Sequence, residues 1–231
     1  MTMKNENLLY YDLGSHAVAF STKRTADTGS AFDALGIERD KLLLPKQVHG
    51  NEILKIDSDK PDNKTVAMIE ADAIMTDRPG IFIGVRTADC IPVLLYDCAN
   101  HAACAVHAGW RGTVKRIAGK AVKAMQRAYG TQPENLRAVI GPGISMQSFE
   151  VGEEVYRAFI EAGFAEIYHR QDKWHIDLWQ ANILDLIQSG MTGSNIFLSA
   201  IDTYTSYDMF YSARREGIST GRILTGIAMY Q

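Results

Sequence analysis

The chain has 231 residues, of which 46% are apolar and 22% charged, and its formal net charge is -3. This length suits one domain with a sizeable core, residues 1–231, and the charge gives no electrostatic reason to expect nucleic acid or a membrane as partner. No apolar run approaches the ~18 residues of a membrane span, and the polar first residues hold no signal-peptide core. Three cysteines are too few for a disulfide framework, so we expect a cytoplasmic protein.

Eight runs have the composition or alternation of strands. Two of them, 91–96 and 102–107, are continuously apolar and separated by a short turn, which predicts a hairpin of central strands buried on both faces. The most polar window, 57–64, is predicted to be a surface loop. In chain order the predicted strands are 17–21, 48–56, 81–85, 91–96, 102–107, 136–140, 195–199 and 222–229.

A long amphipathic helix is the clearest helical signal. Apolar residues recur at helical spacing over 114–125, and basic residues fill the opposite face. Thr113 is expected to cap this helix and Gly130 to end it. Two further helices are predicted over 155–162 and 178–189. Because hairpins are mixed with crossover helices, the predicted fold class is α/β with a mixed sheet rather than a strict βαβ repeat.

Three segments place a potential metal ligand beside small residues. His49 precedes a glycine, Cys90 ends Thr-Ala-Asp-Cys, and His107 is followed by Ala-Gly. Two imidazoles and a thiolate are good zinc ligands, and three protein ligands leave a fourth position for water, whose pKa zinc lowers to about 7. The ligands stand 41 and 17 positions apart, so only the fold can bring them together. Taken singly, a cysteine at a strand end or a lone histidine more often serves packing.

Two basic segments are candidate anion sites. Gly-Trp-Arg-Gly-Thr at the start of the long helix combines exposed main-chain N–H groups with Arg111, whose planar guanidinium suits phosphate or carboxylate. Near the C-terminus Arg214, Arg215 and Arg222 form a second basic group. An ordinary strand-to-helix turn and a solvated surface are the respective alternatives.

Several segments resemble one family when they are taken together. In order, they are Gln47-Val-His-Gly, Ala88-Asp-Cys-Ile-Pro-Val-Leu, Val106-His-Ala-Gly-Trp-Arg-Gly, Ile140-Gly-Pro-Gly-Ile, Phe149-Glu-Val-Gly and an Arg-Arg…Thr-Gly-Arg tail. This set resembles the bacterial laccase-domain family, labelled multicopper polyphenol oxidase or YfiH-type purine nucleoside phosphorylase. The resemblance implies a four-layer α/β/β/α sandwich with mixed sheets, related distantly to the cytotoxic necrotising factor toxins.

The resemblance also implies a metal site and an activity. His49, Cys90 and His107 match the ligands of a zinc ion, with copper as a possible substitute. The implied substrates are small molecules, namely nucleosides and phosphate. The implied reactions are phosphorolysis of adenosine, inosine, guanosine and methylthioadenosine, and deamination of adenosine. The expected oligomeric state is a monomer or a weak dimer.

Roles for other residues follow from these reactions. In deamination, zinc would activate water for attack on C6 of adenosine, with Asp89 as proton shuttle. In phosphorolysis, phosphate would attack C1′ of the ribose while Arg111 and Arg214 neutralise its charge. Together with Cys90 and His107, Asp89 and Arg111 complete the predicted catalytic set. Gln47 is predicted to join Arg111 and Arg214 in binding substrate or phosphate.

The chain departs from the family pattern at three places, and three other functions stay open. Gly143 and Asp202 replace common cysteines, and Ala213 replaces a common tyrosine, which puts the substrate preference in question. The first alternative is a metal-free thiol hydrolase, such as one that edits cell-wall precursors, with Cys90 as nucleophile and His107 as base. The second is a copper polyphenol oxidoreductase, against which six histidines without a His-x-His pair argue. The third is a nucleotide-binding module without catalysis.

Overall fold

The computed structural model describes residues 6–13, 16–26, 32–33, 35–38, 41–164, 167–170 and 172–230 of the chain. In these ranges the strands are β1 (Leu8–Asp12), β2 (Ala17–Thr22), β3 (Leu42–Leu43), β4 (Ile53–Ile56), β5 (Ala73–Thr76), β6 (Phe82–Thr87), β7 (Ile91–Asp97), β8 (Ala102–Ala108), β9 (Leu136–Ile140), β10 (Glu150–Val151), β11 (Tyr168–Arg170), β12 (Trp174–Ile176), β13 (Ile196–Leu198) and β14 (Ile223–Met229). The helices are α1 (Asn63–Val66), α2 (Trp110–Val114), α3 (Ile117–Tyr129), α4 (Glu153–Glu161), α5 (Leu178–Gln188) and α6 (Ala213–Glu216).

Most of the strands belong to two large sheets. The five-stranded sheet has the order β1-β2-β14-β6-β3, and the six-stranded sheet has the order β13-β9-β7-β8-β5-β4. The edge strands β3, β4 and β13 pair in parallel with their neighbours, and the other pairs in both sheets are antiparallel. The sheets are therefore mixed, as predicted.

Three apolar cores hold the layers together. The first lies between the two large sheets, where Ile83 and Ile227 of one sheet belong to the same buried cluster as Leu94 and Val139 of the other. The second lies between the six-stranded sheet and helices α3, α4 and α5. The third covers the outer face of the five-stranded sheet around Phe20. Both large sheets are thus covered on both of their faces, and helices cover one of them. This layering confirms the expected α/β fold.

The predicted hairpin of 91–96 and 102–107 is present as β7 and β8. Every side chain of both strands is buried, and the register pairs Ile91 with Ala108. The carboxylate of Asp97 holds the turn by accepting hydrogen bonds from the main-chain N–H groups of Ala99 and Asn100. The open end of the hairpin consequently brings the residues before β7 and after β8 side by side.

The long amphipathic helix is divided into α2 and α3, and the prediction that Thr113 caps it is wrong. Helix α2 begins after Gly109, and the chain turns at Arg116, whose φ of 59° is left-handed. The buried carboxylate of Asp185 accepts a hydrogen bond from the N–H of Gly119 at 2.7 Å and thereby satisfies the first turn of α3. Within the described ranges, none of the helices is long and apolar enough to cross a membrane.

Two other boundaries differ from the predictions, and one agrees. Helix α3 ends at Gly130 with a φ of 70°, as predicted. The predicted strand 48–56 begins only at β4, because the main-chain N–H groups of 48–50 bind the side chain of Asp72 instead of a neighbouring strand. The predicted surface loop 57–64 contains the start of α1.

The close approach of β6 and β14 gives a stability prediction. Gly226 pairs with Gly84, and a Cβ at Gly226 would lie 2.6 Å from the main-chain oxygen of Ile83. Since the main chain of a central strand cannot move aside cheaply, Gly226→Ala is expected to lower the free energy of unfolding by about 2 kcal/mol or more. Gly193→Ala is the control, because its Cβ meets only a side-chain carbon at 3.9 Å. Urea denaturation of both variants measures the difference, and equal losses would contradict the prediction.

Candidate metal centre

The side chains of His49, Cys90 and His107 meet at the open end of the β7–β8 hairpin. Their potential ligand atoms all lie within 4.8 Å of one another, and the imidazole rings pack edge to face with centroids 4.9 Å apart. Tetrahedral zinc places its ligand atoms roughly 3.5 Å apart. Within the described ranges, no other group of three His, Cys, Asp or Glu side chains meets in this way. The geometry and the mixed nitrogen and sulfur donors therefore fit a metal ion.

Each of the three residues has a different backbone setting. His107 lies on β8 and is 3% exposed. Cys90 lies between β6 and β7, where the chain leaves the five-stranded sheet and enters the six-stranded one. His49 is exposed and has a φ of 59°, in the loop between β3 and β4. The three side chains therefore come from a buried strand, from the connection between the two sheets and from an exposed loop.

The carboxylate of Asp72 ties this loop to β8. One of its oxygens accepts a hydrogen bond from the N–H of Gly50 at 2.7 Å, and the other accepts from the N–H of His49 at 2.9 Å. The oxygen that binds His49 is also 2.7 Å from Nδ1 of His107. Because Nδ1 donates to this carboxylate, Nε2 of His107 is the nitrogen left to bind a metal.

The ionisation of these buried groups depends on their contacts. Burial raises the pKa of Asp72, but hydrogen bonds from His107 and Gly50 outweigh burial and lower it. Burial also raises the pKa of the Cys90 thiol, whereas the charge and hydrogen bond of His107, helped by His49, bring it below its usual range. Burial lowers the pKa of His107, and the Cys90 thiolate and Asp72 raise it above its usual range. Cys90 is therefore disposed to be a thiolate, which is the form that binds metals.

A glycine lets the start of α2 pack directly on the ligands. A Cβ at Gly109 would lie 3.2 Å from the sulfur of Cys90 and 3.2 Å from Cδ2 of His49. At Gly112, a Cβ would lie 3.0 Å from the main-chain oxygen of Gly50. The small residues of the Gly-Trp-Arg-Gly segment thus serve the close approach of α2 to the loop that carries His49.

The side chain of Gln47 is occupied by a main-chain contact. Its amide nitrogen donates to the carbonyl oxygen of Arg86 at 2.8 Å, and its amide oxygen accepts from the N–H of Arg86 at 2.8 Å. The side-chain amide of Gln47 therefore pairs with the main chain of β6 at Arg86, as the peptide group of a neighbouring strand would. This contact fixes the loop two residues before His49.

Asp89 is likewise held in place on both of its oxygens. One accepts from Oγ1 of Thr203 at 2.7 Å, and the other accepts from the N–H of Arg214 at 2.7 Å. Asp89 is 8% exposed and has a φ of 85°. Through this bridge, the residue next to Cys90 positions the first turn of α6 and its arginine.

The two predicted phosphate-binding arginines are exposed. The guanidinium of Arg111 stacks over the ring of Trp110 at 4.3 Å, and that of Arg214 lies 5.5 Å from the ring of Phe149. Neither guanidinium has a carboxylate partner among the described residues. By contrast, Arg215 is used structurally, because it binds Glu216 and the carbonyl oxygens of Thr203, Tyr204 and Phe210.

Sequence reasoning missed Asp72 and underestimated Asp202. Asp72 stands beside the apolar run that becomes β5, and a carboxylate in such a run must find several donors when the strand is buried. An aspartate next to an apolar run is therefore the sequence pattern that could have identified Asp72. Asp202 accepts hydrogen bonds from the hydroxyl groups of Ser145 and Ser148, which joins the loop after β9 to the segment leading to α6. Its partners lie far away in sequence, so no local pattern marks it.

Comparisons with known proteins identify the family of this chain. Residues 12–230 match the family described as multi-copper polyphenol oxidoreductase laccase. A purine nucleoside phosphorylase of Bacteroides thetaiotaomicron is 42% identical over 201 residues, covering 83% of this chain and 74% of that protein. Adenosine deaminase RL5, from an unknown prokaryotic organism, is 40% identical over 202 residues, covering 84% of this chain and 77% of that protein.

Solved structures share the fold. The hypothetical protein YfiH of Bacillus licheniformis superposes with a TM-score of 0.92 at 23% identity, covering 98% of each chain. YlmD of Geobacillus stearothermophilus superposes with a TM-score of 0.87 at 24% identity, covering 94% of this chain and 93% of that chain. Because residues 12–230 match this family and two relatives are 42% and 40% identical, the chain belongs to the multi-copper polyphenol oxidoreductase laccase family.

Proposed function

We propose that this chain is a zinc enzyme acting on purine nucleosides, by phosphorolysis and by deamination of adenosine. The cluster of His49, Cys90 and His107, oriented by Asp72, is the observation that carries the proposal. The names of the relatives at 42% and 40% identity support the substrate class. Methylthioadenosine as a further substrate, a cytoplasmic location and a monomer or weak dimer stay predictions.

Zinc suits the donor set better than a copper cluster does. One thiolate and two imidazoles form a three-ligand site with a fourth position free for water or substrate, which is typical of catalytic zinc. A trinuclear copper centre needs many more imidazoles, and the described residues bring together only His49 and His107 with one thiolate. When zinc is bound at such a site, it polarises its ligands and lowers the pKa of water to about 7.

The chain itself contributes orientation and charge. Asp72 holds His107 by Nδ1, and it fixes the main chain around His49. In our proposal Gln47 positions the loop through its contact with Arg86, and a direct role in binding substrate or phosphate stays a prediction. Asp89 holds the first turn of α6 through its two hydrogen bonds. Its role as proton shuttle stays a prediction, since a carboxylate oxygen can accept more than one hydrogen bond.

The exposed arginines suit the anionic substrate. In phosphorolysis a phosphate oxygen bonds to C1′ of the ribose, the bond from C1′ to the base nitrogen breaks, and ribose 1-phosphate and the free base leave. Arg111 and Arg214 carry the cations that would neutralise the attacking phosphate. In deamination water adds at C6 of adenosine and ammonia leaves, so no phosphate is involved. The two reactions are therefore separable by their need for phosphate.

The thiol hydrolase and the binding module remain as alternative functions. Metal analysis distinguishes the proposed zinc enzyme from the thiol hydrolase. We expect about one zinc per chain in the purified protein, and loss of both zinc and activity in His49→Ala, because two ligands hold zinc poorly. Cys98→Ser is the control, since Cys98 lies at the opposite, turn end of the hairpin. Elemental analysis measures the metal. Full activity of His49→Ala without zinc would favour a Cys90–His107 thiol hydrolase instead.

Product analysis tests the reaction. Metal-defined protein is incubated with adenosine and with inosine, each with and without phosphate. Phosphate-dependent release of the base is expected for phosphorolysis, and phosphate-independent formation of inosine is expected for deamination. Arg214→Gln should raise the KM for phosphate about tenfold while the phosphate-free reaction is unchanged, since a charged hydrogen bond is lost. Nucleoside binding without either product would point to a binding module and contradict the proposal.

The role of Asp72 gives a prediction on affinity rather than rate. Asp72→Asn is expected to weaken zinc binding 10-fold to 100-fold, because it removes the charged partner of His107. Asp97→Asn is the matched control, as Asp97 is another fully buried carboxylate that binds main-chain N–H groups but lies at the far end of the hairpin. Competition with a chelator measures both affinities. An unchanged affinity in Asp72→Asn would contradict the assigned role.

A further inference from the structure

A cavity lies on the outer face of the five-stranded sheet. It has a volume of about 330 Å³, and none of the three metal-binding side chains lines it. Phe32, Leu42 and Leu44 form part of an apolar wall, and two arginines, Arg86 and Arg222, complete the lining on the side of β6 and β14. We call this cavity the outer pocket. An apolar wall with a few convergent polar groups is typical of small-molecule sites.

Strand register explains why Arg86 faces this cavity. Arg86 is directly opposite Leu224 in the antiparallel pair of β6 and β14. Val85 belongs to the core between the two sheets, so the alternation of side chains turns Arg86 to the outer face. Arg222 stands immediately before β14, and its side chain lines the same cavity. Two positive charges therefore meet at one cavity.

Neither charge is neutralised by a carboxylate in the part of the chain that the structure describes. Arg222 donates to the carbonyl oxygens of Ile218, Thr220 and Gly221, which use only part of its five N–H donors and do not cancel its charge. The guanidinium of Arg86 has no hydrogen-bonding partner among the described residues. Like charges that line one cavity repel each other, and an anion between them relieves that repulsion.

We propose that the outer pocket is a second ligand site, separate from the metal centre, for an organic molecule that bears an oxyanion. Arg86 and Arg222 hold the phosphate or carboxylate group, and the apolar body of the ligand packs on Leu42, Leu44 and Phe32. Arginine forks suit both kinds of oxyanion. This proposal does not depend on the reaction at the metal centre.

Methyl NMR of the full-length, metal-loaded protein tests the site directly. Leucine methyl groups are labelled, and the protein is titrated with phenyl phosphate, benzoate and inorganic phosphate. We expect saturable shifts of Leu44 and Leu224 with phenyl phosphate or benzoate, and the better of these two probes identifies the preferred oxyanion. Inorganic phosphate should bind at least about tenfold more weakly, because it lacks an apolar body.

Variants separate specific binding from general attraction of anions. Arg86→Gln should weaken the better probe at least about tenfold through loss of a charged hydrogen bond, while Arg127→Gln, at an exposed arginine of α3, should change nothing. Ala67→Trp, at an exposed residue that lines the cavity, should weaken the organic probes by filling it. The proposal is overturned if the leucine signals do not move, if Arg86→Gln binds as tightly as the unaltered chain, or if inorganic phosphate binds as tightly as the organic probes. Phosphorolysis plays no part in this readout, so the two proposals can fail independently.

Discussion

One buried carboxylate, that of Asp72, joins the parts of the chain that carry two of the three ligands. A buried charge is costly unless it is fully hydrogen-bonded, and this one receives donors from the main chain around His49 and from the ring of His107. The loop therefore cannot continue β4 as a strand, because its N–H groups already have a partner. The same contacts stabilise the left-handed backbone at His49 and select the ring nitrogen that His107 presents.

A second constraint is the passage of the chain from one sheet to the other. Between β6 and β7 it must leave the five-stranded sheet, and Asp89 adopts a φ of 85° at that point. Thr203 and the first turn of α6 secure Asp89, while Gly109 lets α2 pack on Cys90. Cys90 is thus held through its neighbour Asp89 and by the packing of α2, which is the kind of preorganisation that a metal site requires.

Much of this architecture could be predicted from local patterns, and the exceptions have physical causes. The hairpin of β7 and β8 and the apolar face of α3 follow from runs and periodicity. The break at Arg116 could not be predicted, since it depends on the distant Asp185. Among the site residues, the ligands could be named from the family resemblance, whereas the contacts of Gln47 and Asp89 depend on partners 39 and 114 or more positions away. Short strands such as β3 have too few residues to show a period.

The positions of His49, Cys90 and His107 along the chain have a consequence for how a metal ion would be bound here. His49 precedes β4, and His107 lies on β8, with β4, β5, β6 and β7 between the two residues, so no short peptide of this chain contains the site. In small zinc fingers the ion drives folding, but here the sheets must assemble before three donors can meet. A metal ion bound here then stabilises the assembled state by mass action. If the proposed metal binds here, its content in a preparation would therefore fall when fewer chains have formed both sheets.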